Sequence, residues 1–342
     1  MIINNEANEL IEKLMTKHPN TLLTIGALKK GETTFKLFDK NGEIPYESHL
    51  YEMGSIGKTF TTSLLAKLIS EGKMNLDDPV SKYIPELEAG KYYPTLKRLA
   101  THTAGYSENF NVEEDLKLSL KILWRNVILR KQQLLQDVYT MNKEKMIQLT
   151  KVAKLEDKDY SWVYSNFGMA LLGQAISHVA GKDFISLMNE YMQQELQLSN
   201  TTVATNYDQL IQGYDVKNQA ISPYIADAKE MFFPAGAGMF STAEDLLEYA
   251  RLNLKETPAY LALGHVYQAA GNEKSGGMDM ALGWWLNTRE KIWWHGGNTS
   301  GFATSLAFIK ETDFAAVILA NIQDYEERSP LGNEILLANG ND

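Results

Sequence analysis

Apolar residues first recur at helical spacing over residues 5–17, where Leu10, Ile11 and Leu14 share one side. Two β-patterned runs follow, Thr21–Ala27 and Thr34–Phe38, and the Lys-Lys-Gly-Glu turn between them predicts a hairpin. The middle of the chain has mainly helical spacing, over Thr59–Ser70, Leu116–Val138, Phe167–Val179, Phe184–Glu195 and Ala243–Leu252. The C-terminal third turns β-like again, over Gly283–Asn287, Lys291–His295, Ala303–Ile309 and Phe314–Ile322. Short polar or glycine-containing turns separate these runs, as in an antiparallel meander. The last run is apolar throughout, the pattern of a central strand covered on both faces. Strands at both ends with helices between them predict an α+β fold. Its antiparallel sheet is built from the N- and C-terminal segments, flanked by helices, with an all-helical lobe inserted. The expected organisation is one domain over 1–342, with an α/β lobe at about 1–75 and 255–342 and a helical lobe at about 76–254. A site at the seam of the two lobes is the natural expectation.

Composition narrows the function. The 342 residues are 44% hydrophobic and 22% charged, ordinary for a soluble chain with a sizeable core. A formal charge of −10 argues against nucleic acid or an anionic membrane as the main partner. The basic residues Arg125, Arg130 and Lys131 read as one solvated helix face. With no cysteine there is no thiol nucleophile, no disulfide and no cysteine zinc site. The six histidines are scattered and none forms H-E-x-x-H, so neither a metal nor a cofactor is expected. The N-terminus lacks the basic start and apolar core of a signal peptide, and no run approaches a membrane span. The expected setting is cytoplasmic as sequenced, or extracytoplasmic if a leader has been removed.

Three clusters carry candidate chemistry. Ser55-Ile56-Gly57-Lys58 opens a helix-patterned stretch and puts a hydroxyl and an amine on one face. A serine attacks a carbonyl only when a neighbour takes its proton, and a lysine can do so if its pKa falls. Tyr164-Ser165-Asn166 precedes another helix and offers a phenol for proton relay and an amide for a substrate. His295-Gly296-Gly297-Asn298 ends a tryptophan-rich strand, where the glycines let a substrate approach the edge and a backbone N–H can face an oxyanion. Taken singly, each cluster also fits a plainer role: a helix start with a solvated lysine, an N-cap region, and a Gly-Gly turn.

In this order the three clusters resemble the S-x-x-K, Y-x-N and K/H-x-G motifs of the serine β-lactamase and penicillin-binding-protein superfamily. The likeness is to its class C branch, with its D,D-carboxypeptidase, D-aminopeptidase and esterase relatives. Leu99–Gly105 resembles that branch's "LLTHTSG" segment, and Pro234–Asp245 resembles "PAGGLxSTAxD". Gly283-Trp284 and His295–Phe302 resemble "GLGW…HGGxxxGF", so the likeness runs from about Leu23 to Asn321. The resemblance implies Ser55 as the acylated nucleophile, Lys58 as its base, and Tyr164 as partner base and acid for the leaving group. It further implies that Asn166 binds the substrate's amide side chain and that the N–H groups of Ser55 and Asn298 form the oxyanion hole. His295, with Gly297 in the same motif, would replace the usual lysine, tuning Tyr164 or binding a substrate carboxylate. His102 and Pro234–Asp245 would be structural.

Departures from the pattern shape the expected substrate. Histidine in the third motif is more usual in the peptidase and esterase relatives than in β-lactamases. Gly296 stands where a hydroxyl residue would bond a substrate carboxylate. Val112–Tyr139 is a long helical stretch outside the common pattern, and the residues after Ile322 look too few for the family's final helix. Other readings fit less well. A P-loop ending in Gly57-Lys58-Thr59 needs glycine where Glu52 stands, and an α/β-hydrolase elbow needs glycine at Met53. The expected function is a serine hydrolase working through an acyl-enzyme, on a D-amino-acid-containing peptide (carboxypeptidase- or aminopeptidase-like) or an ester. Class C β-lactam hydrolysis and a non-catalytic penicillin-binding sensor are the alternatives. The expected partner is a small molecule or short peptide, with the oligomeric state left open.

Overall fold

The computed structural model describes residues 3–110, 112–129, 141–203, 210–222 and 232–340. An eight-stranded antiparallel sheet forms its centre. Three strands come from the N-terminal part: β1 (Leu23–Lys29), β2 (Glu32–Asp39) and β3 (Gly42–Ile44). Five come from the C-terminal part: β4 (Asp279–Met280), β5 (Trp285–Asn287), β6 (Ile292–Asn298), β7 (Ala303–Ile309) and β8 (Phe314–Ala320). The order is β3-β2-β1-β8-β7-β6-β5-β4, so the two ends of the chain meet where β1 pairs with β8, Leu23 opposite Ala320. The hairpin and the meander form as the sequence pattern predicts. Lys30 and Gly31, both at positive φ, make the two-residue turn between β1 and β2.

The alternation of strand side chains separates two cores. Ile25, Ala27, Ala316 and Ile318 face α1 (Asn5–Lys17) and α6 (Tyr325–Gly340), meeting Ile11, Leu14, Leu331 and Ile335. Leu28, Val317, Leu319 and Phe308 face the larger core, which holds α2 (Gly57–Ser70), α4 (Asn166–Ala180) and α5 (Ala243–Lys255). Every residue of β8 is buried, as its unbroken apolar run requires. α5, grouped with the helical stretch by sequence pattern, lies on the sheet through Leu246, Leu247 and Ala250. The chain after Ile322 does form a final helix, α6, contrary to its apparent shortness; burying Leu331 and Ile335 against α1 is enough to anchor it. In the long helical stretch, α3 covers Val112–Leu129 and exposes Leu116, Leu120, Leu123, Trp124 and Ile128. The remainder of that stretch, with Arg130 and Lys131, lies outside the described residues. No helix among the described residues is long and apolar enough to cross a membrane.

Local signals explain the helix ends. Asn4 caps α1 by accepting the Ala7 N–H, and Ser165 caps α4 by accepting the Gly168 N–H. α4 stops at Gly181, which has the left-handed conformation common beyond a helix C-terminus.

The segment entering α2 is held by a close approach of three backbones. Tyr51–Glu52 pairs with Met239–Ser241, and the Met53 N–H donates to the Met239 carbonyl. On the other side the Thr304 hydroxyl donates to the Met53 carbonyl at 2.8 Å. Only glycine fits at two contact points. A Cβ at Gly297 would lie 2.0 Å from the Met53 carbonyl oxygen, and one at Gly236 would lie 1.9 Å from that of Gly54. Gly236 also sits at φ +95°, where L side chains are strained. Gly236→Ala is therefore expected to destabilise the fold by about 2 kcal/mol or more. Gly31→Ala, at φ +87° with nothing within 4 Å, should lose only its turn strain. Urea denaturation of the two variants checks this, and equal losses would contradict the close-contact argument.

Candidate active site

Ser55 lies in a single 3₁₀ turn, Gly54–Ile56, that runs directly into α2. Lys58 follows on the first turn of α2 and is 0% exposed. Its Nζ lies 2.9 Å from Ser55 Oγ, 2.8 Å from Asn166 Oδ1 and 2.8 Å from the Ala235 carbonyl oxygen. The threonines of α2 help place these partners. Thr59 donates to the Ile56 carbonyl, and Thr61 reaches across to the Pro234 carbonyl at 2.8 Å, beside Ala235.

Tyr164 approaches from the segment before α4, and its hydroxyl donates to Ser55 Oγ at 2.7 Å. Lys58 Nζ sits 4.6 Å from the centre of the Tyr164 ring. His102 holds this segment: its carbonyl accepts the Val163 N–H, and its Nδ1 accepts the Ser165 N–H at 3.2 Å. The His102 ring also packs 4.7 Å from that of Tyr164. Burial, and then the Lys58 charge, keeps His102 well below the usual histidine pKa, so the ring is neutral. An Nδ1 that accepts leaves the proton on Nε2.

Burial pushes the Lys58 pKa down to about 7, against the opposing pull of the Glu108 carboxylate. The choice of partners then decides what the neutral amine can do. Asn166 Oδ1 and the Ala235 carbonyl only accept, so they take the two remaining N–H bonds. The lone pair is left facing Ser55, where it can receive the hydroxyl proton. Asn166 is oriented for this because its Nδ2 donates to Glu108 Oε1 at 3.4 Å.

Ser55 opens onto a two-armed cleft. One arm, about 250 Å³, is lined by Glu52, Asn109, Phe232, Ala237, Thr299 and Gln323 beside Ser55. The other, about 400 Å³, is lined by Glu108, Trp162, Tyr164, Trp285, Trp294 and His295. Asn166 and Asn298 line both arms, and the Asn298 nitrogen lies 3.2 Å from where a Gly54 Cβ would stand. Gly297 lies under the Met53 backbone and keeps the end of β6 against the Ser55 turn. Thus the structure brings together Ser55, Lys58, Tyr164, Asn166, His295, Gly297 and Asn298, all singled out by sequence. His295 is only 1% exposed, with Nδ1 turned 2.8 Å from the Gly296 carbonyl and its ring edge-on to Trp285. No group of potential metal ligands occurs among the described residues.

Four contributors carry little signal in the sequence. The Ala235 carbonyl belongs to the backbone, and only the Pro234–Asp245 segment hinted at its place. Glu108 follows the Leu99–Gly105 segment with no periodicity to mark it. Trp162 and Trp285 join Trp294 only through tertiary packing.

Comparison with known proteins gives the family. Residues 7–339 match the family model described as Beta-lactamase. A beta-lactamase of Pseudomonas fluorescens is 25% identical, covering 93% of each chain. Protein flp of Staphylococcus aureus (strain MW2) is 24% identical over 80% of this chain and 53% of its own length. Among solved structures, a beta-lactamase/D-alanine carboxypeptidase from Pseudomonas syringae superposes with a TM-score of 0.78 at 19% identity, covering 98% of both chains. A D-alanine carboxypeptidase from Burkholderia cenocepacia gives 0.74 at 21% identity, also over 98% of both chains. The match over nearly the whole sequence, on a sheet and cleft of this kind, places the chain in the beta-lactamase family of serine hydrolases.

Proposed function

We propose that the protein hydrolyses amide or ester bonds through an acyl-enzyme on Ser55, its acyl donor being a D-amino-acid-containing peptide or an ester. The observation that carries this reading is the fully buried Lys58, hydrogen-bonded to Ser55 and to two groups that can only accept from it. As Oγ attacks the carbonyl, its proton passes to the Lys58 lone pair. The N–H groups of Ser55 and Asn298 take the developing oxyanion. Tyr164, bonded to Ser55 Oγ, returns a proton to the departing group. Water then attacks the acyl carbonyl, its proton going to the Tyr164 phenolate, and Ser55 leaves with the proton that Lys58 took.

The lining of the cleft supports this choice of substrate. Neither arm is lined by a lysine or arginine among the described residues, and His295 is buried where related enzymes place a lysine. A substrate carboxylate entering the larger arm, as on a β-lactam, would meet Glu108 with no lysine or arginine among the described lining residues to balance it. Class C β-lactam hydrolysis is kept as the second reading because a relative covering 93% of the chain is named a beta-lactamase.

Incubation with a fluorescent penicillin or a p-nitrophenyl ester should leave a covalent mass increment on Ser55. Ser55→Ala should lose the adduct and slow hydrolysis by about 1000-fold or more. Hydrolysis unchanged in Ser55→Ala would overturn the mechanism. A stable adduct without turnover would favour a non-catalytic sensor.

The pH dependence tests the role of Lys58. Its neutral fraction grows as pH rises through about 7, so kcat/KM for p-nitrophenyl acetate should rise across that range. Asn166→Asp puts a carboxylate beside Nζ and favours the ammonium, moving the rising limb up by about one to three pH units. Activity should then recover towards pH 9–10. A limb unmoved in Asn166→Asp would show that Lys58 is not the base.

A further inference from the structure

The larger arm of the cleft is lined by Trp162, Tyr164, Trp285 and Trp294, together with the carboxylate-bearing Glu108. Trp285 stacks on Trp294 with ring centres 5.6 Å apart at 22°, and lies 5.0 Å from Trp162. The Tyr164 ring is nearly parallel to Trp285, at 6.4 Å. Glu108 stands exposed at the same arm, tethered through Asn166 Nδ2 to the residue that also contacts Lys58. Lys58 itself is sealed beneath Ser55 and is not part of the wall.

This chemistry selects by charge. The faces of tryptophan and tyrosine rings carry negative potential and attract a cation, and a nearby carboxylate adds to that attraction. The formal charge of −10 gives the surrounding field the same sign. An anionic group entering this arm would be repelled by Glu108. A neutral alkyl group would gain the ring surfaces but nothing from the carboxylate. An alkylammonium group gains both.

We propose that this arm binds an alkylammonium group carried by the substrate, with the tryptophans covering its carbon atoms and Glu108 balancing its charge. The inference rests on the reading of Ser55 as nucleophile, since the scissile carbonyl must reach Ser55 while the cation occupies the neighbouring arm. The substrate is then a cationic ester or amide, either one with a primary amine, such as a D-aminoacyl amide, or one with a quaternary ammonium. Glu108 and Trp285 set specificity and take no part in bond making.

Binding to the Ser55→Ala protein tests this separately from acyl transfer. Tryptophan fluorescence is titrated at constant ionic strength with choline, with ethanolamine and with 3,3-dimethylbutan-1-ol, the neutral isostere of choline. At least one cation should bind about fivefold tighter than the neutral alcohol, a preference of the size that ring faces and a partly exposed carboxylate supply. Tighter choline binding identifies a quaternary ammonium site, and tighter ethanolamine binding a primary amine site. Glu108→Gln should abolish the preference, and Trp285→Ala should weaken both cations. The proposal is overturned if the neutral alcohol binds as well as both cations, if no probe binds, or if the preference survives in Glu108→Gln. Failure of the nucleophile reading appears elsewhere, as a missing adduct on Ser55.

Discussion

Burial of one lysine amine without a directly bonded carboxylate is the constraint around which the site is organised. Lowering its pKa from the ordinary lysine value to about 7 disfavours the ammonium by on the order of 5 kcal/mol. Three hydrogen bonds surround Nζ, but two go to neutral oxygens and the third to the serine hydroxyl. Hydrogen bonds of this kind steady the charge without recovering all of its lost hydration. The same partners suit the neutral amine, because two acceptors use its hydrogens and the hydroxyl meets its lone pair. Desolvation and hydrogen-bond direction therefore act together: one makes the base available near neutral pH, and the other points it at Ser55.

Holding that geometry requires segments far apart in sequence to converge within ångströms. Ser55 and Lys58 come from the start of α2, Asn166 from the start of α4, and Ala235 from the turn before the short strand Met239–Ser241. β6 closes the other side. Gly236 and Gly297 let these backbones touch the turn that carries Ser55, and no side chain fits at either point. The sheet makes the convergence possible by joining the N-terminal β1 to the C-terminal β8. The chain entering α2 thereby lies beside β6 and β7, which follow it by more than half the sequence.

Much of this was legible in sequence where a local rule carries the information. The apolar run at Phe314 marked a strand buried on both faces, and Lys30-Gly31 marked a tight hairpin. Spacing set Ser55 and Lys58 on one helical turn, while the order of the three motifs supplied Tyr164, Asn166 and His295. Elements held by tertiary contacts were harder to read. α6 looked too short because only its packing on α1 shows that Leu331 and Ile335 suffice. α5 has a helical pattern like its neighbours, and nothing local says that it lies on the sheet. The Ala235 carbonyl carries no side-chain signature, Glu108 belongs to no periodic element, and Trp162 meets Trp285 only in the folded chain. The third motif marks His295 as a member of the cleft wall beside Tyr164, but not that its ring is buried with Nδ1 close to the Gly296 carbonyl.

The state of Lys58 is the point on which the account turns, and it can be observed without any substrate. Protein labelled with ¹³C at lysine Cε, with the Lys58 resonance assigned by its loss in Lys58→Met, reports each amine as pH is varied. A Lys58 amine that serves as the base near neutral pH gives a signal that titrates near 7. A Lys58 signal that instead titrates at the ordinary lysine value would contradict that role.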